Sequence, residues 1–492
     1  MANQAPKTFS LDSFKKANKN MIVANSGYLD VFSESRYRRS TLKDYEPEEI
    51  ERIIESGSLT EQIRLSRNYF YKDGFYKRIL LYYATILKYV GILIPNPGYG
   101  KKLSTEHIQK KYFSAVDFVE TMDLPNLLKT FMLRSLIDGA YYGIIQQVDK
   151  KTFSVLDLPA EYCCSRFKDI YGNDMIEFDV TYFNSILEDE ARNIALSVYP
   201  KIVRTAYNQF KNGKYEKRWV FIPTEIGIYF TFSDGRPLFL NTIPATIEYD
   251  EAVDTERERD LEEIRKVIVQ KIPHLSTGEL LFEPEEAEEI HAGTVGMMKA
   301  NKNISVLTTY AEVDSIVSKT ASDTASNNLE KMMNNIFYEA GTSSQLFAAT
   351  GNLALGTSLN NDLALVMILG DRFSTFITRL VNDIYANTNI SFKYTLLPIS
   401  YYNEKDYVTN TYKLTSTGYS FLLPAIASGL TQRDLGNVKD LENTVLKLQD
   451  KLIALASSAT GGGDKGTAGA PAKTAETKAP KTIENEESLD KT

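Results

Sequence analysis

Gly351 and Gly356, followed by Thr357 and Ser358 in GNLALGTS, reproduce the GxxxxG spacing of a loop that cradles phosphates. The residue that must come next is Lys, whose ammonium reaches the phosphates, and here that position is Thr357. A phosphate loop also joins a strand to a helix, whereas a helical pattern precedes this one, so a nucleotide-driven enzyme is the weaker reading. His107, His274 and His291 lie far apart without HxxxH or HExxH spacing, which disfavours a histidine-built zinc site or a Ser-His-Asp triad. Cys163 and Cys164 are the two cysteines, too few for a disulfide framework or a four-thiolate site. Their place in a strand-like segment, flanked by Tyr162, fits a structural role in a reducing compartment. The acidic run Glu283, Glu285, Glu286, Glu288 and Glu289 lacks the ligand spacing of a hard-cation loop and reads as a solvated helix face. No catalytic constellation, metal or cofactor is expected.

The elements that carry these residues come from a chain of 492 residues, 43% hydrophobic, long enough for more than one domain. A net charge of −8 opposes a general grip on nucleic acid, which depends on Lys and Arg facing phosphates. The first residues, MANQAPKTFSLDSFKKANKN, show no apolar signal-peptide core. The most apolar stretch, residues 79–94, is interrupted by Lys88 and too short to span a bilayer, so a buried core helix is expected there. Helical patterns follow at 105–122 and 125–138. From Ala140 the period changes, and three strand pairs are expected: AYYGIIQQV with TFSVLDLP, EYCCSRFKD with MIEFDVTYF, and EKRWVFIP with IGIYFTFSDGRP. Residues 184–212 read as one or two helices between the second and third pairs.

Leu261, Ile264, Ile268 and Ile272 form a narrow stripe that predicts a helix closed by Pro273. An acidic helix, PEEAEEIHAG, and a strand, NISVLTTY, come next, and then a helix through SNNLEKMMNNIFYEAG stopped by Gly341. The stretch from Ala340 to Asp362 carries no charge before its last residue. Its hydroxyls, amides and small apolar groups, among them Leu346, Phe347, Leu353 and Leu355, suit a loop that touches a phosphate backbone without counterion release. NNDLALVMILGDRFSTFITRLVNDIY then predicts a long helix capped by Asn, with Asp362 in its first turn. Helices at 404–416, 419–428 and 432–456 follow, and the composition of 457–492 predicts disorder.

The chain to about residue 456 resembles the portal proteins of tailed bacteriophages, an α+β fold. The resemblance lies in the order of FYKRILLYYATILKYVGILIP, LIDGAYYGIIQQVDKKTFSVLDLPAEYCCSRF with EFDVTYF, FYEAGTSSQLF, LGTSLNNDLALVMILGDRFSTFITRLVNDI and LTQRDLGNVKDLENTVLKLQDKL. It implies N-terminal helices and an α+β wing at 1–254, stem helices at 255–272 and 321–341, and a small α/β clip at 273–320. A channel loop at 342–359, a long wing helix and return strand at 360–402, a helical crown at 403–456 and a tail at 457–492 complete it. The loop residues it implies are Ser343, Ser344, Gln345, Thr350, Asn352, Leu353, Leu355, Thr357 and Ser358. The clip glutamates, 283, 285, 286, 288 and 289, become the expected docking face for terminase or an adaptor.

The resemblance further implies a non-enzymatic ring of about twelve copies at one capsid vertex of the virion, assembled in the host cytoplasm. Its expected partners are the large terminase subunit, a head-tail adaptor, scaffold and major capsid protein, with no membrane. Double-stranded DNA would pass through it during packaging and ejection without being tightly bound, and an acidic wall speeds such passage. A self-assembling scaffold or adhesin without a DNA channel is the alternative, and it predicts oligomers without an axial hole.

Overall fold

The computed structural model describes residues 44–97, 104–148, 153–170, 172–264, 266–271, 283–298, 304–309, 322–343, 354–385 and 390–447. The chain divides into two compact units, Met1–Arg433 and Asp434–Thr492. The first is a mixed α+β body. Helix α1 (Pro47–Glu55) has Pro47 in its first turn and buries Ile50 and Ile53; the chain turns away at Gly57, whose φ is 68°. Helices α2 (Leu59–Lys72) and α3 (Gly74–Thr85) follow, with the Asp73 side chain capping α3 through the Tyr76 N–H at 2.9 Å.

The apolar stretch at 79–94 is not one helix. α3 ends at Thr85, Tyr89 takes a left-handed φ of 56°, and strand β1 (Gly91–Pro97) begins two residues later. The strand needs Gly91, because a Cβ there would lie 2.4 Å from the Tyr394 hydroxyl and 2.7 Å from the Thr395 carbonyl oxygen. Helices α4 (Thr105–Thr121) and α5 (Leu124–Asp138) fall where the pattern places them, and Gly139, at φ 80°, ends α5.

Strands β2 (Ala140–Val148) and β3 (Phe153–Asp157) pair antiparallel, as do β4 (Cys163–Lys168) and β5 (Asp174–Asp179). The VTYF segment after β5 is a 3₁₀ turn that buries Tyr182 and Phe183. Residues 184–212 supply two helices, α6 (Asp189–Val198) and α7 (Lys201–Lys211). The third expected strand pair is corrected. β6 (Trp219–Ile222) joins β5, whereas β7 (Gly227–Thr231) crosses to β2, giving sheets ordered β4-β5-β6 and β3-β2-β7. The tight turn that redirects the chain is closed by the Gly227 N–H donating to the Pro223 carbonyl at 2.9 Å.

Alternation along β2 divides the body into two cores. Ala140, Tyr142 and Ile144 face one, with β5, β6, α6 and α7; Tyr141 and Ile145 face the other, with α3, α5 and β7. Arg67 on α2 ties the two regions, donating to Asp138 at 2.6 Å and to Glu161 at 2.9 Å.

Helix α8 (Thr242–Ile264) corrects the helix expected at 255–272: it starts earlier and stops at Ile264. Ile268 belongs instead to strand β8 (Lys266–Lys271), where the β-branched run Val267-Ile268-Val269 favours extended backbone. Helix α9 (Pro284–Met298) leads to β9 (Ile304–Thr309), which pairs with β8 in parallel. This small βαβ unit is followed by α10 (Ser322–Glu339), which packs on α8. Phe75 of α3 stands edge-on to Tyr249 of α8 and Phe337 of α10, at centroid distances of 5.1 and 6.3 Å, joining both helices to the body.

Helix α11 (Ala354–Ile384) also departs from expectation: it begins ahead of Asn360 and Asn361, so neither caps it. Strand β10 (Ile390–Leu396) returns along β1. Helices α12 (Glu404–Ser416) and α13 (Leu422–Ala427) follow, the second shorter than the 419–428 pattern. α14 (Gln432–Asp440) gives way to a π turn at Leu441–Val445; the rest of the expected 432–456 helix and the 457–492 tail lie outside the described residues.

Both edges of the β1-β10 ribbon are closed by side chains. Ser374, Thr378 and Asn382, one row of α11, accept the N–H groups of Leu396, Tyr394 and Phe392 at 2.9, 2.9 and 2.8 Å. On the other edge Gln432 accepts the Leu93 N–H at 2.9 Å and donates to the Leu93 carbonyl at 3.1 Å. Pro95 and Pro97 lack a donor altogether. Replacing Asn382 with Ala leaves the Phe392 N–H unpaired and should cost about 1–3 kcal/mol in denaturant unfolding. Thr375→Ala, on the exposed side of α11, serves as the control; equal losses for the two variants would show that the edge contributes nothing.

Candidate functional site

Helix α10 ends in a Schellman arrangement. Gly341, at φ 68°, donates its N–H to the Tyr338 carbonyl at 2.9 Å, and Thr342 donates to that of Phe337 at 3.0 Å. That turn points the Thr342 side chain inward, and its hydroxyl donates to the Asp362 carboxylate at 2.9 Å. Asp362 is 2% exposed and lies two turns inside α11. Tyr82 and Tyr83 of α3 donate to its two oxygens at 2.8 and 3.1 Å. Three hydroxyl donors thus satisfy a carboxylate that would otherwise be costly to bury. Burial, and next the neighbouring Asp362 charge, raise the pKa of both phenols, so they stay protonated and able to donate.

The consequence for the neutral stretch is geometric. Thr342 and Asp362 meet side chain to side chain, so the two ends of the uncharged segment are held at one point. The only charge between Ala340 and Asp362 is the one turned inward, which leaves residues 340–361 free of charged side chains. Ser343, just after the α10 turn, and Ser358, within α11, are half-buried. Leu355 and Thr357 lie on the first turns of α11, so the expected loop at 342–359 is cut back by helix from Ala354 onward. Ser344, Gln345, Thr350, Asn352 and Leu353 lie outside the described residues.

Gly356 and Thr357 sit within the first turn of α11, and the element described before them, α10, is a helix where a phosphate loop follows a strand. Cys163 is buried and Cys164 half-buried on β4; burial raises both thiol pKa values, which leaves them weakly nucleophilic. Among the described residues no group of three or more His, Cys, Asp or Glu side chains could hold a metal ion, and no helix is long and apolar enough to cross a membrane.

The glutamates come together as their spacing implies. Glu283 precedes α9, and Glu285, Glu286, Glu288 and Glu289 are all exposed on it, while Ala287 is buried. The helix rests on β9 and presents its acids to solvent.

The Asp362 cluster was not foreseen. From the pattern alone Asp362 is a first-turn acid and Tyr82 and Tyr83 are core aromatics; the available signal was that two adjacent buried phenols need acceptors.

No protein-family profile matches the chain, and no curated protein does. Among solved structures it matches the neck of a native gene transfer agent particle computed with C12 symmetry. The identity is 12% and the TM-score 0.35, over 75% of this chain and 93% of that one. A second match is to the virion of a native gene transfer agent particle, at 10% identity and a TM-score of 0.35, over 79% of this chain and 95% of that one. Similarity at this level decides neither fold nor function, and the functional reading rests on the geometry.

Removing the central acceptor strands three buried hydroxyls. Asp362→Ala should therefore destabilise the chain by roughly 2–5 kcal/mol, and Thr342→Val by about 1 kcal/mol. Thr342→Val should also speed chymotryptic cleavage at Phe347, because it removes the anchor five residues before it. Unchanged cleavage and stability in both variants would remove the anchoring role.

Proposed function

We propose that this chain is the subunit of a phage-type portal: a ring of about twelve copies at one vertex of a virion, through which double-stranded DNA passes. The observation that carries the reading is the insertion of a small βαβ unit between two mutually packed helices, followed at once by an uncharged segment whose ends are joined by Thr342 and Asp362. In this reading α8 and α10 are the stem, β8-α9-β9 the clip, and residues 343–353 with the first turns of α11 the channel loop. The α12–α14 helices begin the crown, and the body from α1 to β7, completed by α11 and β10, is the wing.

The chemistry supports a conduit that does not hold its cargo. DNA sliding past a wall of hydroxyls, amides and small apolar groups meets neither cations that would retain it nor a local anionic barrier. The exposed α9 glutamates form the docking face for terminase during packaging and for the adaptor afterwards. Scaffold and major capsid protein are the partners of ring assembly, and the chain itself performs no hydrolysis.

Electron microscopy of the purified protein, with particle mass measured in parallel, tests this directly. Rings with an axial hole and a mass near that of about twelve chains are expected. Solid oligomers without a hole would favour a scaffold, and a compact monomer that bound ATP would overturn the reading. Reversing Glu285, Glu286, Glu288 and Glu289 to Lys should leave rings intact while abolishing terminase capture on them; undiminished capture would move the docking face elsewhere.

A further inference from the structure

The chain is acidic overall, yet one segment runs the other way. Between Tyr199 and Arg218 stand Lys201, Arg204, Lys211, Lys214, Lys217 and Arg218, against a single acid, Glu216. Helix α7 buries Val203, Ala206 and Tyr207 against the second core. At about 100° per residue, Lys201, Arg204, Asn208 and Lys211 share the opposite side, and all four are exposed. Lys214 and Lys217 are exposed in the turns that follow, at Gly213 and Tyr215–Lys217.

Arg218 is held by Asp179 at 2.8 Å. The other five cations make no ion pair among the described residues. α7 has no acid of its own. The nearest acids along the chain are Glu216 and the group Glu188, Asp189 and Glu190 at the start of α6, of which Asp189 is already paired with Arg192.

We propose that this stripe docks the phosphate backbone of duplex nucleic acid, an inference independent of the ring reading. The row from Lys201 to Lys211 is about 15 Å long, while a duplex offers a phosphate charge every 1.7 Å or so of its axis, so several phosphates face it at once. Lysine predominates among the free cations, with Asn208 between them. That composition suits sequence-independent phosphate contact, whereas the cores of protein interfaces are depleted in Lys. The rigid seat of α7 keeps the charges in one row without further ordering on binding.

The test uses the full chain and a fluorescent random-sequence duplex of about thirty base pairs, with anisotropy followed across potassium chloride concentrations. The logarithm of the affinity should fall against that of salt with a slope of about −4.5, as expected when five cations displace counterions. K201E/R204E/K211E should weaken low-salt binding at least about tenfold and flatten the slope by about 3. K201Q/R204Q/K211Q should flatten it in the same way, and it serves if charge reversal impairs folding. No binding at low salt, or an unchanged slope in a folded triple variant, would overturn the proposal. Equal binding of polyglutamate through the same residues would overturn it in favour of an acidic protein partner. Because binding is read without reference to oligomeric state, failure here and failure of the ring reading are separate results.

Discussion

The carboxylate of Asp362 receives hydroxyls from three directions: two from α3 and one from the turn after α10. It is carried on α11, so one buried acid ties α3, the turn after α10 and α11 together at the two ends of the uncharged segment. No cation neutralises it within the contacts described, and the arrangement depends on all three donors being placed at once. The Schellman turn at Gly341 orients Thr342, the Asp73 cap sets the start of α3, and the body of α11 fixes the acceptor.

The same economy of polar groups appears at the β1-β10 ribbon. A two-stranded sheet is a poor structure alone, because each strand exposes an unpaired edge. Here a helix row of Ser, Thr and Asn completes one edge and a single glutamine amide completes part of the other. The long α11 is therefore anchored twice, by Asp362 near its start and by Ser374, Thr378 and Asn382 along its second half. Such a helix suits a rigid strut.

Charge is distributed unevenly along the chain. The segment after α10 is neutral, the α9 face is acidic, and α7 carries the basic stripe. In the proposed portal these correspond to a wall for passing DNA, a face for exchangeable docking proteins, and a surface that holds phosphates in place. The net charge describes none of the three, because the relevant fields are screened within about 10 Å and act locally.

Local patterning determined much of the chain. Apolar periodicity with Pro47, Gly139 and Gly341 as punctuation located α1, α5 and α10, and the run without charge between Ala340 and Asp362 was plain in the residues themselves. Those features depend on interactions between residues within a few positions of one another. Long-range choices were not legible: β6 and β7 look like a hairpin but pair in different sheets, and Ile268 continues a helical stripe yet joins a parallel strand. In both cases the backbone partner lies far away in sequence, and local propensity is overridden by pairing and burial. The Asp362 cluster shows the same limit, since its four side chains come from residues 82, 83, 342 and 362, and only the packing of three helices decides that one acid is their common acceptor.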